Sequence, residues 1–260
     1  YYPNNIHIGG HPNDEEHRFP KLKEKIERSR ANWLLRLARR YTDKPSNELA
    51  LCDVGCATGW FVRGCLDIGI DACGVEISPQ ALRAMERCGV ERIYHGPFEN
   101  TDFGGRKFDI ITLFQTAEHV VDMGSLLRAM RERLTSNGII ILTCPNDLSG
   151  YRPFFWRKYW WLVPPMHVRF FNTQTMDKLF RKNGLKTLGF DTTGSFGGDV
   201  FMVLDWGARK IHVGLNPSGK LFKILRQIFV RGFIPVDWLI RKTVGHSELI
   251  AVAAMADANY

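Results

Sequence analysis

The sequence contains no apolar run of the length that a membrane-spanning helix requires. It contains no C-x-x-C pair either, so its cysteines show no pattern of a zinc site or a dithiol motif. Most of them fall on predicted core segments, where a free cysteine acts as a small hydrophobic residue. Reduced thiols of this kind are typical of a cytosolic protein, and a cytoplasmic location is predicted. The six are Cys52, Cys56, Cys65, Cys73, Cys88 and Cys144.

Acidic residues are scarce in two segments of the chain. Residues 18–44 hold ten Lys/Arg and three Asp/Glu, and residues 209–242 hold eight Lys/Arg and one acidic residue, Asp237. Each segment has a net charge of +7 while the whole chain has +8, so the remainder is mildly acidic at −6. Basic flanks on an acidic core predict an anionic partner near the flanks, such as a membrane, a phosphorylated glycan or a nucleic acid.

A strand, a glycine turn and a helix start follow one another near residue 55. Residues 49–54 are apolar and predict a buried strand, residues 55–59 predict a tight turn, and residues 60–68 predict a helix. Such a corner binds nucleotides, because glycine admits a ligand to the backbone and the first helical N–H groups point outward. A dinucleotide fingerprint would place Trp60 at its third glycine, where the indole would block close helix–strand packing.

The alternative spacing D/E-x-G-x-G-x-G fits better. Asp53, Gly55 and Gly59 match it, and Ala57 replaces only the middle glycine. This spacing is the first motif of class I S-adenosylmethionine (SAM) methyltransferases, so the stretch favours SAM over NAD.

Predicted strands and helices alternate through the core of the chain. The alternation indicates an α/β fold with a parallel sheet covered by helices on both faces. We expect an N-terminal arm and helix in residues 1–44, a core formed by 45–193 with 247–256, and a basic amphipathic insertion at 194–246. Further strands are predicted at 71–77, 92–94, 107–114, 139–144, 185–192 and 247–255, with helices at 21–41, 78–88, 123–134 and 173–183 and a helix stop and turn at Ser136–Gly138.

The chain resembles the small-molecule SAM-dependent methyltransferases, the broad group that contains the ubiquinone-biosynthesis O-methyltransferases. The resemblance covers about residues 30–192 and the final strand. It implies a Rossmann-like, seven-stranded, mostly parallel sheet with an antiparallel last strand, and SAM as cofactor. The stretches that carry it are Asp53–Gly59, Gly74–Ser78, Phe108–His119, Asn137–Pro145 and Met166–Asn172.

The resemblance also implies cofactor-binding roles. Glu76 would accept the ribose hydroxyls, with a structural role at the start of the next helix as the alternative. Asp53 would orient the turn and meet the methionine amino group. Phe98 would contact adenine together with Ile77, or would pack inward instead. The remaining predicted contacts are the turn residues Gly55, Cys56, Ala57 and Gly59 and, beside the methionine part, Phe114 and Gln115.

The pair Glu118-His119 raises the question of a metal. Metal-using members of the quinone group carry an acidic residue three positions before the glutamate, where this chain has Gln115. A neutral amide is a poor substitute for a carboxylate ligand, so no metal is predicted. His119 and His167 are the candidate general bases for an acceptor hydroxyl, and bracing of the local loop is the alternative for each. The aromatic segment 151–171, which contains His167, is predicted to cover the substrate or the sheet edge.

The predicted function is methyl transfer from SAM to a small-molecule or lipid- or glycan-linked acceptor, at oxygen or nitrogen. A nucleic-acid (RNA) methyltransferase is the first alternative. The basic flanks favour it, but the chain lacks the Asn/Asp-Pro-Pro-Tyr/Phe signature after the fourth strand, so a nucleic-acid partner is not expected. A non-catalytic SAM-fold binding protein is the second alternative, against which the complete set Asp53, Gly55, Gly59 and Glu76 argues.

Residues 218–243 form the amphipathic part of the insertion. Apolar residues recur there at Leu221, Ile224, Leu225 and Ile228, which is one helical stripe among basic residues. Such a segment can lie in a membrane interface as a peripheral contact. The alternative is a helix that packs on its own domain or on a second subunit, which would make a homodimer.

Overall fold

The computed structural model describes residues 20–79, 88–147, 166–193 and 248–258, and five separate helical positions between 221 and 232. The arm 1–19, most of the predicted helix 78–88, and residues 148–165 of the aromatic segment lie outside the described residues. The described helices are α1 (Pro20–Ala38), α2 (Trp60–Asp67), α3 (Met123–Arg133) and α4 (Thr173–Lys182). The strands are β1 (Ala50–Val54), β2 (Asp71–Glu76), β3 (Ile93–His95), β4 (Phe108–Phe114), β5 (Leu134–Pro145), β6 (Leu185–Thr193) and β7 (Glu248–Met255).

The seven strands form one sheet in the order β3-β2-β1-β4-β5-β7-β6. Strand β7 is antiparallel to both of its neighbours, and the pairs among β1 to β5 are parallel. Apolar residues of α3 and α4 pack on one face of the sheet, and those of α1 and α2 pack on the other. The predicted fold class is therefore confirmed, and the carboxyl ends of β1, β2, β4 and β5 meet at one edge, where open α/β sheets bind ligands.

The apolar stripe that the sequence of α1 predicts is buried except at its start. Leu34 and Ala38 of this stripe are fully buried, whereas Ile26 is 52% exposed. The reason is a close crossing with α2, where the backbone of Glu27 lies 2.8 Å from the place that a Cβ on Gly64 would take. Glu27 lies at this crossing and is buried.

The predicted turn at Ser136–Gly138 is wrong, because β5 begins at Leu134 directly after α3. The three residues sit within a register shift of the β4–β5 pair, between Phe108↔Leu134 and Ile110↔Ile139. Gly138 is required there since an added Cβ would lie 2.7 Å from the Phe108 carbonyl oxygen. A turn-forming sequence thus makes an irregularity inside a strand.

Within the described ranges, no helix combines the length and the apolar character needed to cross a bilayer. The six cysteines are free and buried, as the sequence predicts.

Candidate functional site

The glycine corner has the geometry of a ligand-binding turn. Gly55 and Gly59 have φ values of 75° and 76°, in the left-handed region that glycine reaches without strain. Ala57 also lies there, with φ 47°, at a cost of about 1–2 kcal/mol for a residue with a side chain. The N–H groups of Gly55 and Cys56 both donate to the Val75 carbonyl, which fixes the corner against β2.

Gly55 also locks the corner to the loop that follows β4. A Cβ added to Gly55 would lie 2.6 Å from the Thr116 hydroxyl oxygen and 2.7 Å from its methyl carbon. The two loops therefore touch over a position that only glycine can occupy, and a shift of one loop moves the other.

Glu76 ends β2 with both carboxylate oxygens engaged by backbone. Ala57 N–H donates to one oxygen and Ser78 N–H to the other, each over 2.8 Å. Each carboxylate oxygen has a further lone pair, so the ribose hydroxyls can still bind there. The Ser78 bond also fits the structural alternative, and both roles remain predictions.

Asp53 is buried beneath the corner and accepts a hydrogen bond of 2.6 Å from the Thr112 hydroxyl. Burial raises the pKa of Asp53 to about 7, although the Thr112 bond and the nearby Arg30 charge both lower it in part. The neutral and ionised forms of Asp53 therefore have similar populations near neutral pH.

Arg30 is a candidate site residue that no sequence motif indicates. Its guanidinium carbon lies 5.0 Å from the centre of the Phe114 ring, and it forms an ion pair of 3.4 Å with Glu27. Its charge acts on Asp53 and on Glu248. Helix α1 thus places a cation beside the predicted methionine end of the cofactor. The feature of the sequence that could have pointed to Arg30 is its spacing from Glu27, one turn away on the same predicted helix.

Gln115, directly after β4, has a left-handed backbone with φ 52°. Its backbone N–H donates to the Thr143 carbonyl over 2.9 Å. The side-chain amide reaches across β5 and donates to Glu248 at the start of β7. Burial raises the pKa of Glu248, and the Gln115 bond lowers it in part. Gln115, the predicted contact of the methionine part, is therefore hydrogen-bonded to β7, two strands away from β4 in the sheet.

A cavity of about 450 Å³ opens beside the corner. Four of the predicted site residues line it: Gly55, Ile77, Phe98 and His119. Phe98 is buried and also packs inward, with its ring 5.3 Å from that of Phe103. A wider depression of about 620 Å³ lies near the start of β4 and the end of α3, away from the corner. We assign function to the first cavity because it lies at the carboxyl ends of the parallel strands.

His119 lines this cavity, and His167, 48 positions later in the chain, packs against His119. Their ring centres are 4.8 Å apart with an angle of 67° between the planes. His119 Nδ1 lies 2.8 Å from the Met166 carbonyl oxygen, which makes Nδ1 the protonated nitrogen. Burial lowers the pKa of His119 and so favours its neutral form. The bond to Met166 fits the bracing alternative, and the position at the cavity fits a base.

Glu118, next to His119, is 1% exposed, and neither of its carboxylate oxygens has a hydrogen-bond partner. Its backbone carbonyl accepts N–H bonds from Val168 (2.9 Å) and Arg169 (3.2 Å), which joins the loop after β4 to the segment around His167. Burial raises the pKa of Glu118 to about 8. The donor atoms of Glu118, His119 and His167 all lie within 4.8 Å of one another.

Comparisons with known proteins place this geometry in a family. The family model described as "Methyltransferase domain" matches residues 16–188, more than half of the chain. A ubiquinone biosynthesis O-methyltransferase from Azorhizobium caulinodans is 31% identical over 108 residues, which are 40% of this chain and 43% of that protein. The chain therefore aligns with less than half the length of this relative.

Two solved structures share the fold. A SAM-dependent methyltransferase from Archaeoglobus fulgidus superposes with a TM-score of 0.53 at 15% identity, covering 91% of this chain and 99% of that one. The magnesium protoporphyrin IX methyltransferase from Synechocystis, solved with bound SAH, gives 0.51 at 15% identity, covering 72% and 84%. The chain belongs to the methyltransferase domain family, and it has the fold of SAM-dependent methyltransferases.

Proposed function

We propose that the protein transfers the methyl group of SAM to a small-molecule acceptor, at oxygen or nitrogen. One observation carries the proposal. Gly55 of the glycine corner, His119 and Met166 all line the same cavity. Cofactor and acceptor would therefore meet in one space, which is what methyl transfer needs, since the sulfonium is already activated and the enzyme has to align the reactants and exclude water.

The cofactor would lie along the carboxyl ends of the first, second and fourth strands. Glu76 would bind the ribose, and Ile77 and Phe98 would contact adenine at the cavity wall. At the other end, Asp53 would meet the methionine ammonium group. Arg30 supports this placement, because its guanidinium lies close enough to act on Asp53 and is suited to bind a carboxylate.

The acceptor would enter between the loop after β4 and the segment 166–168. Val121 and Val168 line this side of the cavity and are 69% and 50% exposed, an apolar rim that fits an acceptor with an apolar body. His119 or His167 would take the proton that an attacking hydroxyl or amine releases.

The direct test incubates the purified protein with methyl-labelled SAM and a metabolite extract. We expect the label in one organic-soluble or small-molecule product, whose mass identifies the acceptor. Label that stays in the RNA of the extract would contradict the proposal, and so would a protein that binds SAM but labels nothing in extracts from several growth conditions.

Removing the Glu76 carboxylate should weaken SAM binding. Glu76→Ala loses charge-assisted hydrogen bonds that are worth about 1.5–3 kcal/mol each, so we expect a loss of roughly 2–3 kcal/mol, or about 30- to 150-fold in Kd. Titration calorimetry with SAM measures it. Glu99→Ala is the matched control, since Glu99 also lines the cavity but makes no bond to the corner in the structure. Equal SAM affinity in both variants would remove Glu76 from the site.

Peripheral membrane contact through residues 218–243, and with it a lipid-linked acceptor, is part of the proposal. The described residues of this segment are helical, and Leu221, Ile224 and Ile228 are 57%, 43% and 58% exposed on one stripe. Exposed apolar residues within a segment of high positive charge fit an anionic lipid surface. A second subunit that covers the same stripe is the alternative.

Vesicle flotation tests this contact. We expect the protein to float with anionic vesicles at low salt, and the triple change Leu221→Ser, Ile224→Ser, Ile228→Ser to abolish it without affecting SAM binding. Ile26→Ser, which removes an exposed apolar side chain from α1, should leave flotation intact. A wild-type protein that ignores the vesicles at low salt, where attraction is least screened, would end the membrane proposal.

A further inference from the structure

Glu118 is the polar side chain whose burial is hardest to explain without a ligand. It is 1% exposed, and both carboxylate oxygens are without a hydrogen-bond partner. A buried carboxyl group normally has partners, because leaving it unsatisfied costs free energy. The two histidines that approach it supply nitrogen donors, and all three donor atoms lie within 4.8 Å of one another. A bound cation would satisfy the carboxylate.

His119 is already oriented for such a ligand. Its Nδ1 is held by the Met166 carbonyl at 2.8 Å, so Nε2 is the nitrogen that keeps a lone pair. A backbone carbonyl on the second ring nitrogen is the usual support of a metal-binding histidine, because it fixes both the tautomer and the ring orientation.

Gln115 does not fit the ligand set. Its amide nitrogen donates to Glu248, and its backbone is held in a left-handed conformation against β5. The amide oxygen Oε1 of Gln115 is buried without a hydrogen-bond partner, but it is neutral and a poor substitute for a carboxylate ligand. The structure supplies a different third donor, since the segment that carries His167 is joined to Glu118 through the Val168 and Arg169 backbone.

We propose that Glu118, His119 and His167 bind a divalent transition-metal ion, with His167 as third ligand and Gln115 outside the set. Two imidazoles and one carboxylate are a donor set of zinc sites and suit Zn²⁺, Co²⁺ or Fe²⁺. Mg²⁺ and Ca²⁺ prefer oxygen ligands and should bind much more weakly.

This inference rests on the proposed function and deepens it. A bound ion of this class would lower the pKa of an acceptor hydroxyl that reaches it. The histidines would then act as ligands and Glu118 would be ionised by the metal. If the site holds no metal, methyl transfer with a histidine base remains intact as a proposal, and the experiment below separates the two.

The experiment titrates untagged, metal-free, reduced protein with Co²⁺ and Zn²⁺. Co²⁺ should give a visible absorption band that Zn²⁺ displaces, and calorimetry should give one ion per chain, while Mg²⁺ gives no comparable heat. Glu118→Gln, His119→Ala and His167→Ala should each weaken Zn²⁺ binding by about 100-fold or more, because even the loss of a supporting second-layer contact costs about 10- to 100-fold. Circular dichroism confirms that each variant folds.

Two controls locate the site. The triple variant His7→Ala, His11→Ala, His17→Ala removes the histidines of the N-terminal arm and should bind Zn²⁺ as the wild type does. Gln115→Ala should also retain it. Absence of Co²⁺ and Zn²⁺ binding by the wild-type protein overturns the inference, as does binding that survives in all three site variants. Loss of binding in Gln115→Ala but not in His167→Ala would reject His167 as the ligand.

Discussion

Replacing His119 or His167 by alanine should lower kcat by about 10²–10⁴-fold while SAM affinity changes little. His119 lines the cavity next to the expected path of the acceptor, and the centre of the His167 ring lies 4.8 Å from that of His119. The loss follows whether the ring takes the acceptor proton or holds a metal ion, because either role acts on the nucleophile and not on the cofactor. Steady-state kinetics with the identified acceptor, together with SAM calorimetry, measures both quantities.

A more conservative variant separates these roles from bracing. In His119→Asn, the side-chain amide can still donate to the Met166 carbonyl, as His119 Nδ1 does at 2.8 Å. The variant would therefore keep the brace but lose the second ring nitrogen. We expect it to be as inactive as His119→Ala. Recovery of activity in His119→Asn would show that the ring only braces the loop. His95→Ala, which changes an exposed histidine on β3, should keep wild-type turnover.

The second large effect concerns Asp53 and pH. Burial raises the pKa of Asp53 from 3.8 to about 7, so the native state holds a proton there between about pH 4 and 7 that the unfolded chain has lost. Stability therefore falls as pH rises through this window, by an amount of the order of 4 kcal/mol for about three pH units. Asp53→Asn removes this pH-dependent part of the free energy of unfolding. The amide oxygen of the new side chain can still accept the Thr112 hydrogen bond.

We expect Asp53→Asn to match the wild type in urea unfolding near pH 4.5 and to be more stable at pH 8, up to that amount. SAM binding at pH 8 should be weaker in the same variant, because the ammonium group of the cofactor loses its charged partner. Asp43→Asn, which removes an exposed carboxylate from the linker after α1, is the matched neutral control. A variant that is less stable at both pH values would show that the native carboxylate is ionised and favourable.

The parts of the fold that follow from local patterns could be predicted. The apolar runs of β1, β4 and β5, each buried on both faces, identify a parallel sheet without any information on contacts. The corner at Gly55 and Gly59 is similarly local, since it depends on backbone angles that those residues favour. The junction at Ser136–Gly138 could not be predicted, because its conformation depends on the neighbouring Phe108 carbonyl and not on its own turn-forming residues.

The site could be predicted only in part, for the same reason. Ile77 and His119 lie beside recognisable motifs, and both line the cavity. Arg30 comes close to Phe114 through the packing of α1 beside the end of β4, and the meeting of Glu118 with His167 depends on hydrogen bonds between distant backbone segments. Neither has a signature at short range. Motifs therefore identify single candidate side chains, whereas only the folded structure shows which of these side chains lie together.

The pairing of Thr193 with Glu248 in the β6–β7 ladder has a consequence for how this protein can change in length. Residues 194–247 connect these two paired positions, so the register of the β6–β7 pair does not depend on the length of the connection. Shortening 54 residues to a four-residue turn would lower the entropic cost of closure by only about 2 kcal/mol. The sheet can therefore keep its register with a connection of a different length. Since Glu248 also pairs with Pro145 at the carboxyl end of β5, a changed connection would alter the surface at the edge that carries the candidate site.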